Sequence, residues 1–130
     1  MNDYNYELWI REKYEPLVRS KTLTTVVRPE DRTKPNHPKY VAPGMVTKIR
    51  IITRHGDEKE EIMPEFNGYE RDVKITKAYK KRLKEITSKD LDGSSEDARD
   101  LKSLLEHLKS TYERNFELEE IVTVEKFEYL

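Results

Sequence analysis

The spacing of apolar positions changes several times along the chain, and each change predicts an element. Tyr6–Ile10 reads as a short strand. Tyr14, Leu17 and Val18 then recur at i, i+3 and i+4, which is a helical face, and Pro16 is tolerated because it falls in the first turn. Thr22–Arg28 is rich in β-branched residues and stops at Pro29, which predicts a strand. Residues 29–44 hold four prolines and predict a loop. In Val46–Thr53 the pattern alternates, with Ile49 and Ile51 on one face and Lys48 and Arg50 on the other, as in a half-buried strand. HGDE at 55–58 turns the chain, 61–69 predicts a further short strand, and Val73–Leu83 begins as a strand and becomes strongly basic.

The last third is clearer. Ser95 stands where a helix cap is expected, with Glu96 and Asp97 behind it at the positive end of the dipole. Leu101, Leu104, Leu105, Leu108 and Tyr112 make one apolar stripe, and Glu120–Tyr129 predicts a final strand. No regular βαβ alternation, internal repeat or low-complexity tract is visible. The order of elements predicts an α+β fold: a small, mostly antiparallel β-barrel with two or three helices packed on it.

At 130 residues the chain has the length of one domain, so residues 1–130 are expected to form a single unit. The 25 basic and 26 acidic residues nearly cancel but are not mixed evenly. Residues 19–54 carry a balance of +7 and residues 73–86 a balance of +5, while the rest is acidic. Two basic segments side by side would make a face able to hold phosphates. Without cysteine, thiolate catalysis and cysteine-ligated zinc are excluded. His37, His55 and His107 are too scattered to suggest a metal site, and no cofactor motif is present. No apolar run reaches the length of a membrane helix, and the first residues lack the pattern of a signal peptide, so a cytoplasmic protein without a membrane partner is expected.

Several stretches occur in a familiar order. A short N-terminal helix leads through SKTLT into a strand, Pro43-Gly44 opens the next strand, RLKEITSKDLDG precedes the amphipathic helix, and the last strand ends in FEYL. In this order the chain resembles the ASCH domain, a β-barrel related to the PUA fold of RNA-modifying proteins, over roughly residues 6–130. The resemblance implies a PUA-like barrel with a ligand cleft between the first helix and the barrel. The family signature Gly-x-Lys-x-x-Glu-x-Arg is met at Lys21, while Arg19, Thr24 and Val26 stand at its other positions and Arg28 follows two residues later. The family's Pro-Gly-Asp turn is Pro43-Gly44-Met45 here. One branch, the small bacterial acetylcytidine amidohydrolase, has a Lys-x-x-Thr pair that Lys21 and Thr24 match. Its glutamate falls on Ser94, with Asp92 two residues before and Glu96 two after.

Two function classes follow, with a third beside them. The first is a binding module for RNA, a nucleoside or a nucleotide, with Lys21, Arg28, Lys48, Arg50 and Arg54 as phosphate contacts and Tyr40 as a stacking platform in the proline-rich loop. Trp9 and Tyr69 could also stack bases, with a core position the first expectation for Trp9. The second is an amidohydrolase that deacetylates acetylcytidine. Lys21 and Thr24 would be its reacting pair and Glu96 the acid; a neutral lysine could take the hydroxyl proton of Thr24. Because three residues of regular strand would put that pair on opposite faces, Lys21 must lie in the helix-to-strand turn. The third is an adaptor with a protein partner on the acidic helix 96–113. His107 is expected on that helix's flank, beside the apolar stripe.

Overall fold

A computed structural model describes residues 6–56 and 59–130. Strand β1 (Leu8–Arg11) leads through a 3-10 turn at Glu12–Tyr14 into helix α1 (Glu15–Arg19). Strands β2 (Thr25–Pro29), β3 (Val46–Arg54) and β4 (Glu65–Arg82) follow, then helix α2 (Leu101–Tyr112) and strand β5 (Ile121–Tyr129). The strands form one sheet in the order β1-β3-β4-β5-β2. Only β1 and β3 pair in parallel; the other three pairings are antiparallel. The sheet curls into a half-barrel flanked by the two helices, an α+β architecture of the PUA-like kind.

The two strands expected at 61–69 and 73–83 are one strand of 18 residues. Its first half pairs with β3 and its second with β5, and the register shifts between Ile75 and Lys77. An extra residue at such a bulge reverses which alternate side chains face inward. Accordingly Val73 and Ile75 belong to the core inside the curl, with Tyr6, Leu8, Ile49 and Ile51, whereas Tyr79 and Leu83 pack against the second core under α2. β5 lies between the cores. Val122 and Val124 face α2, where Leu104 and Leu108 meet them, while Phe127 faces the interior. Each fully buried leucine contributes about 2 kcal/mol through the area it removes from water.

Ser95 opens only a 3-10 turn, Glu96–Ala98, and makes no cap bond, because its hydroxyl donates to Asp97 Oδ1 at 2.5 Å. The cap of α2 is Asp100, which accepts from the Ser103 amide at 2.8 Å while the Ser103 hydroxyl receives the Asp100 N–H. α1 ends in a Schellman motif: the Lys21 amide bonds the Val18 carbonyl and the Thr22 amide that of Leu17, with Lys21 at φ 61°.

The antiparallel register also disposes of the charge segregation. Lys48 and Arg50 reach Glu70 at 3.0 and 3.7 Å, Arg50 also reaches Glu7, and Arg54 meets Glu65 at 3.4 Å. In the second basic segment Lys80 pairs with Asp31, Lys81 with Asp90, and Arg82 and Lys84 with Glu119. Stretches of opposite charge in sequence become ladders of ion pairs.

Candidate functional site

The half-barrel does not close. β1 and β2 are the two sheet edges, and a cavity of about 830 Å³ opens between them, reaching the flank of α2 and the segments around Lys39 and Met63. Among the described residues the one hydrogen bond from β2 to β1 across this seam is made by a side chain: Arg28 Nη2 donates to the Trp9 carbonyl at 3.1 Å. Arg28 projects from the middle of β2 with protein around it, yet keeps solvent access through the cavity.

Burial works against the charge of Arg28. The phenolic oxygens of Tyr112 and Tyr6 and the carboxyl of Glu125 outweigh that cost, so its pKa stands above the ordinary arginine value. Glu125 is fully buried in β5 and accepts the Tyr6 hydroxyl at 2.8 Å, while its Oε2 has no partner. Burial raises its pKa, opposed by Arg28 and the Tyr6 hydrogen bond. Two further cations line the same wall. Arg32 is buried, its side chain tied to the Pro29 carbonyl at 3.1 Å, while Lys39 is exposed at the rim, its pKa lowered by partial desolvation and by the nearby Arg32 and Arg28. Among the described residues no carboxylate lies within ion-pair distance of Arg28, Arg32 or Lys39. These cations therefore repel one another without a counter-charge in contact.

Much of the remaining lining is aromatic and apolar, with Trp9, Tyr14, Tyr112, Ile62 and Met63 in it. Trp9 is not a core residue. It is 42% exposed at the mouth, edge-on to Phe66 with ring centroids 5.1 Å apart, because β1 is an edge strand and the Trp9 side chain points outward from it. The hydroxyls of Ser94 and Thr111, both in the lining, are buried and lack partners.

Of the site residues singled out from sequence, Arg28 and Trp9 line the cavity, and Lys21, Thr24, Glu96, Lys48, Arg50, Arg54, Tyr40 and Tyr69 do not. Lys21 does occupy the helix-to-strand turn, but its side chain is exposed. Thr24 packs against Gly93, whose carbonyl accepts the Thr24 and Thr25 amides at 2.9 and 3.2 Å. Glu96 is exposed and pairs with Arg99 at 3.3 Å. The three are thus not gathered around a common space. Tyr40 is half-buried in the proline-rich loop, where Pro38 and Lys39 are the lining members. The residues the sequence reading missed are Arg11, Tyr14, Arg32, Lys39, Tyr112 and the site role of His107. The usable signals were the basic segment 19–54, which holds Arg32 and Lys39, and the position of His107 on the helix flank.

Among the described residues no three His, Asp or Glu side chains cluster as metal ligands, and no helix is long and apolar enough to cross a membrane.

Two solved structures share this fold. An ASCH domain from Lactobacillus crispatus JV V101 superposes with a TM-score of 0.58 at 11% identity, over 95% of this chain and 80% of that one. An Enterococcus faecalis V583 protein described as DUF984 superposes with a TM-score of 0.60 at 14% identity, over 96% of this chain and 80% of that one. No family model matches the chain, and no curated protein matches it in sequence. The fold is therefore of the ASCH type.

Proposed function

We propose that this ASCH-type domain binds a nucleotide, free or as a unit of RNA, in the seam cavity, with the phosphate on Arg28 and the base against the aromatic wall. The observation that carries this reading is that the lining cations Arg28, Arg32 and Lys39, like Arg11 across the seam, have no ion-pair partner among the described residues, whereas Lys48, Arg50 and Arg54 of β3 and Lys80, Lys81 and Arg82 of β4 are all paired. A cation held among protein atoms and away from carboxylates has most to gain from a phosphate, which a guanidinium can grip with two hydrogen bonds. The volume of about 830 Å³ suits a nucleotide-sized ligand. Trp9, Tyr14 and Tyr112 supply stacking surface, and the two unpartnered hydroxyls supply hydrogen bonds. The ion-paired Lys48, Arg50 and Arg54 would serve at most as outer contacts to a longer strand.

The test is calorimetric titration with the four ribonucleoside 5′-monophosphates and a short single-stranded RNA at several salt concentrations. Affinity is expected to fall log-linearly with salt. Arg28→Gln is expected to weaken binding by at least tenfold, and Arg28→Lys by less. Lys48→Gln is expected to bind as the wild type does. Binding unaffected by Arg28→Gln in a variant that keeps its fold, or no binding at all, would overturn the proposal. Release of cytidine from acetylcytidine, lost in Lys21→Ala, would replace it with the hydrolase reading.

A further inference from the structure

His107 enters the cavity lining from the flank of α2, and it is not free to present either ring nitrogen at will. The Tyr14 hydroxyl donates to Asp97 Oδ2 and lies 3.2 Å from His107 Nδ1. Asp97 is held in turn: Oδ1 accepts the Ser95 hydroxyl at 2.5 Å, and Lys13 Nζ stands 3.6 Å from Oδ2. A phenol has one proton. With that proton on the Asp97 carboxylate, the tyrosine oxygen can only accept from the imidazole, so Nδ1 must carry the hydrogen. Asp97 itself, 3.6 Å from Nδ1, favours the same placement. The remaining polar atom of the ring, Nε2, is then a bare lone pair, and among the described residues it forms no hydrogen bond.

We propose that Tyr14 and Asp97 fix His107 as the Nδ1–H tautomer, so that Nε2 accepts a hydrogen bond from an N–H or O–H of the ligand whose anionic group Arg28 holds. The ligand's identity rests on the nucleotide reading above; the tautomer does not. The site thus selects for two features at once, an anion on the β2 side and a hydrogen-bond donor on the α2 side. Groups facing the imidazole pull in both directions. Burial holds the ring neutral, Asp97 favours the charged form, and Arg28, Lys13 and Arg11 oppose it, leaving the pKa below the ordinary histidine value. The neutral ring is therefore the working form at neutral pH, and protonation would fill the lone pair.

The sign of the pH dependence that His107→Phe removes discriminates, because the ligand's own phosphate also takes up a proton at pH ~6 in both proteins. If Nε2 is an acceptor, lowering the pH through the His107 titration weakens binding. If His107 merely adds charge beside Arg28, lowering the pH strengthens the binding of an anion. The experiment has two parts. Long-range ¹⁵N–¹H spectra of the ligand-free protein at pH 8 are expected to show His107 protonated on Nδ1 and bare on Nε2; the opposite tautomer overturns the proposal whether or not a nucleotide binds. Affinity for the tightest-binding ribonucleoside 5′-monophosphate is then followed with pH in the wild type and in His107→Phe. We expect about a tenfold loss in His107→Phe, the effect of one hydrogen bond, and wild-type affinity that falls as the pH falls, more steeply than that of the variant. The 2′-deoxy counterpart separates the sources of the donor: loss of the His107 effect assigns it to the ribose hydroxyl, and retention assigns it to the rest of the nucleotide. Nucleotide binding that His107→Phe leaves unchanged, or that tightens at lower pH, sinks the acceptor role and spares the nucleotide reading. No binding at all sinks both.

Discussion

Gly93 shows how much one position can fix. Its φ of 91° is a conformation that costs other residues about 1–2 kcal/mol, and an added Cβ would overlap the Thr24 hydroxyl and press on that of Thr25. Gly93→Ala is expected to lower stability by about 3 kcal/mol, combining that strain with overpacking, read as a drop of roughly 10 °C in Tm. In a Thr24→Ala background the same substitution should cost less, because part of the collision is gone; an equal cost would show that the backbone alone is responsible. The same contact explains why Thr24, legible as a candidate, lies against a glycine turn and not in the cavity. Arg28 was legible because it stands two residues beyond the arginine position of the family signature, inside the basic segment 19–54. The pairing of Lys48, Arg50 and Arg54 was not, because it depends on which residue of β4 lies opposite each one, and register leaves no mark on either strand alone.

At the scale of elements, the strands were legible wherever apolar and polar residues alternate, and β3 and β5 fall within a residue of their expected limits. The fusion of two expected strands into β4 was hidden, because a bulge is set by what the strand pairs with on each side. The turn that follows β4 is secured by Asp90, which is buried. It accepts from Tyr79 and Lys81 of β4, each at 2.8 Å, and from the Thr87 amide at 2.9 Å. Burial opposes the charge of Asp90, but these donors outweigh it and hold its pKa at about 2, against an ordinary aspartate value of 3.8. The sign follows from linkage. The folded state binds the proton less readily than the unfolded chain, so the stabilisation is present above pH 3.8 and is lost as the pH falls through about 2. A shift of that size corresponds to about 2 kcal/mol. Asp90→Ala should therefore cost at least that at pH 7 in a denaturant melt, and markedly less at pH 2.

At the scale of the whole molecule, Glu125 is the fully buried carboxyl among the described residues of the half-barrel, and one of its oxygens finds no partner there. Burial leads its raised pKa, so the folded state takes up a proton that the unfolded chain releases. Stability tied to this group is greatest below its unfolded pKa and declines as the pH climbs through the folded one, the reverse of Asp90. Glu125→Gln keeps an acceptor for the Tyr6 hydroxyl and removes the charge. It should match the wild type at pH 4 and exceed it at pH 8 in urea melts, and an equal difference at both pH values would contradict this account. The barrel plan was legible from the order of elements, but the seam was not, since no local pattern says which two strands will remain edges. That seam has a mechanical meaning. In a fully laced cylinder a guest must unpick rungs of the ladder to get inside. Here the wall is unsewn along one side, and among the described residues a single guanidinium is the stitch, so parting the two edges costs one contact.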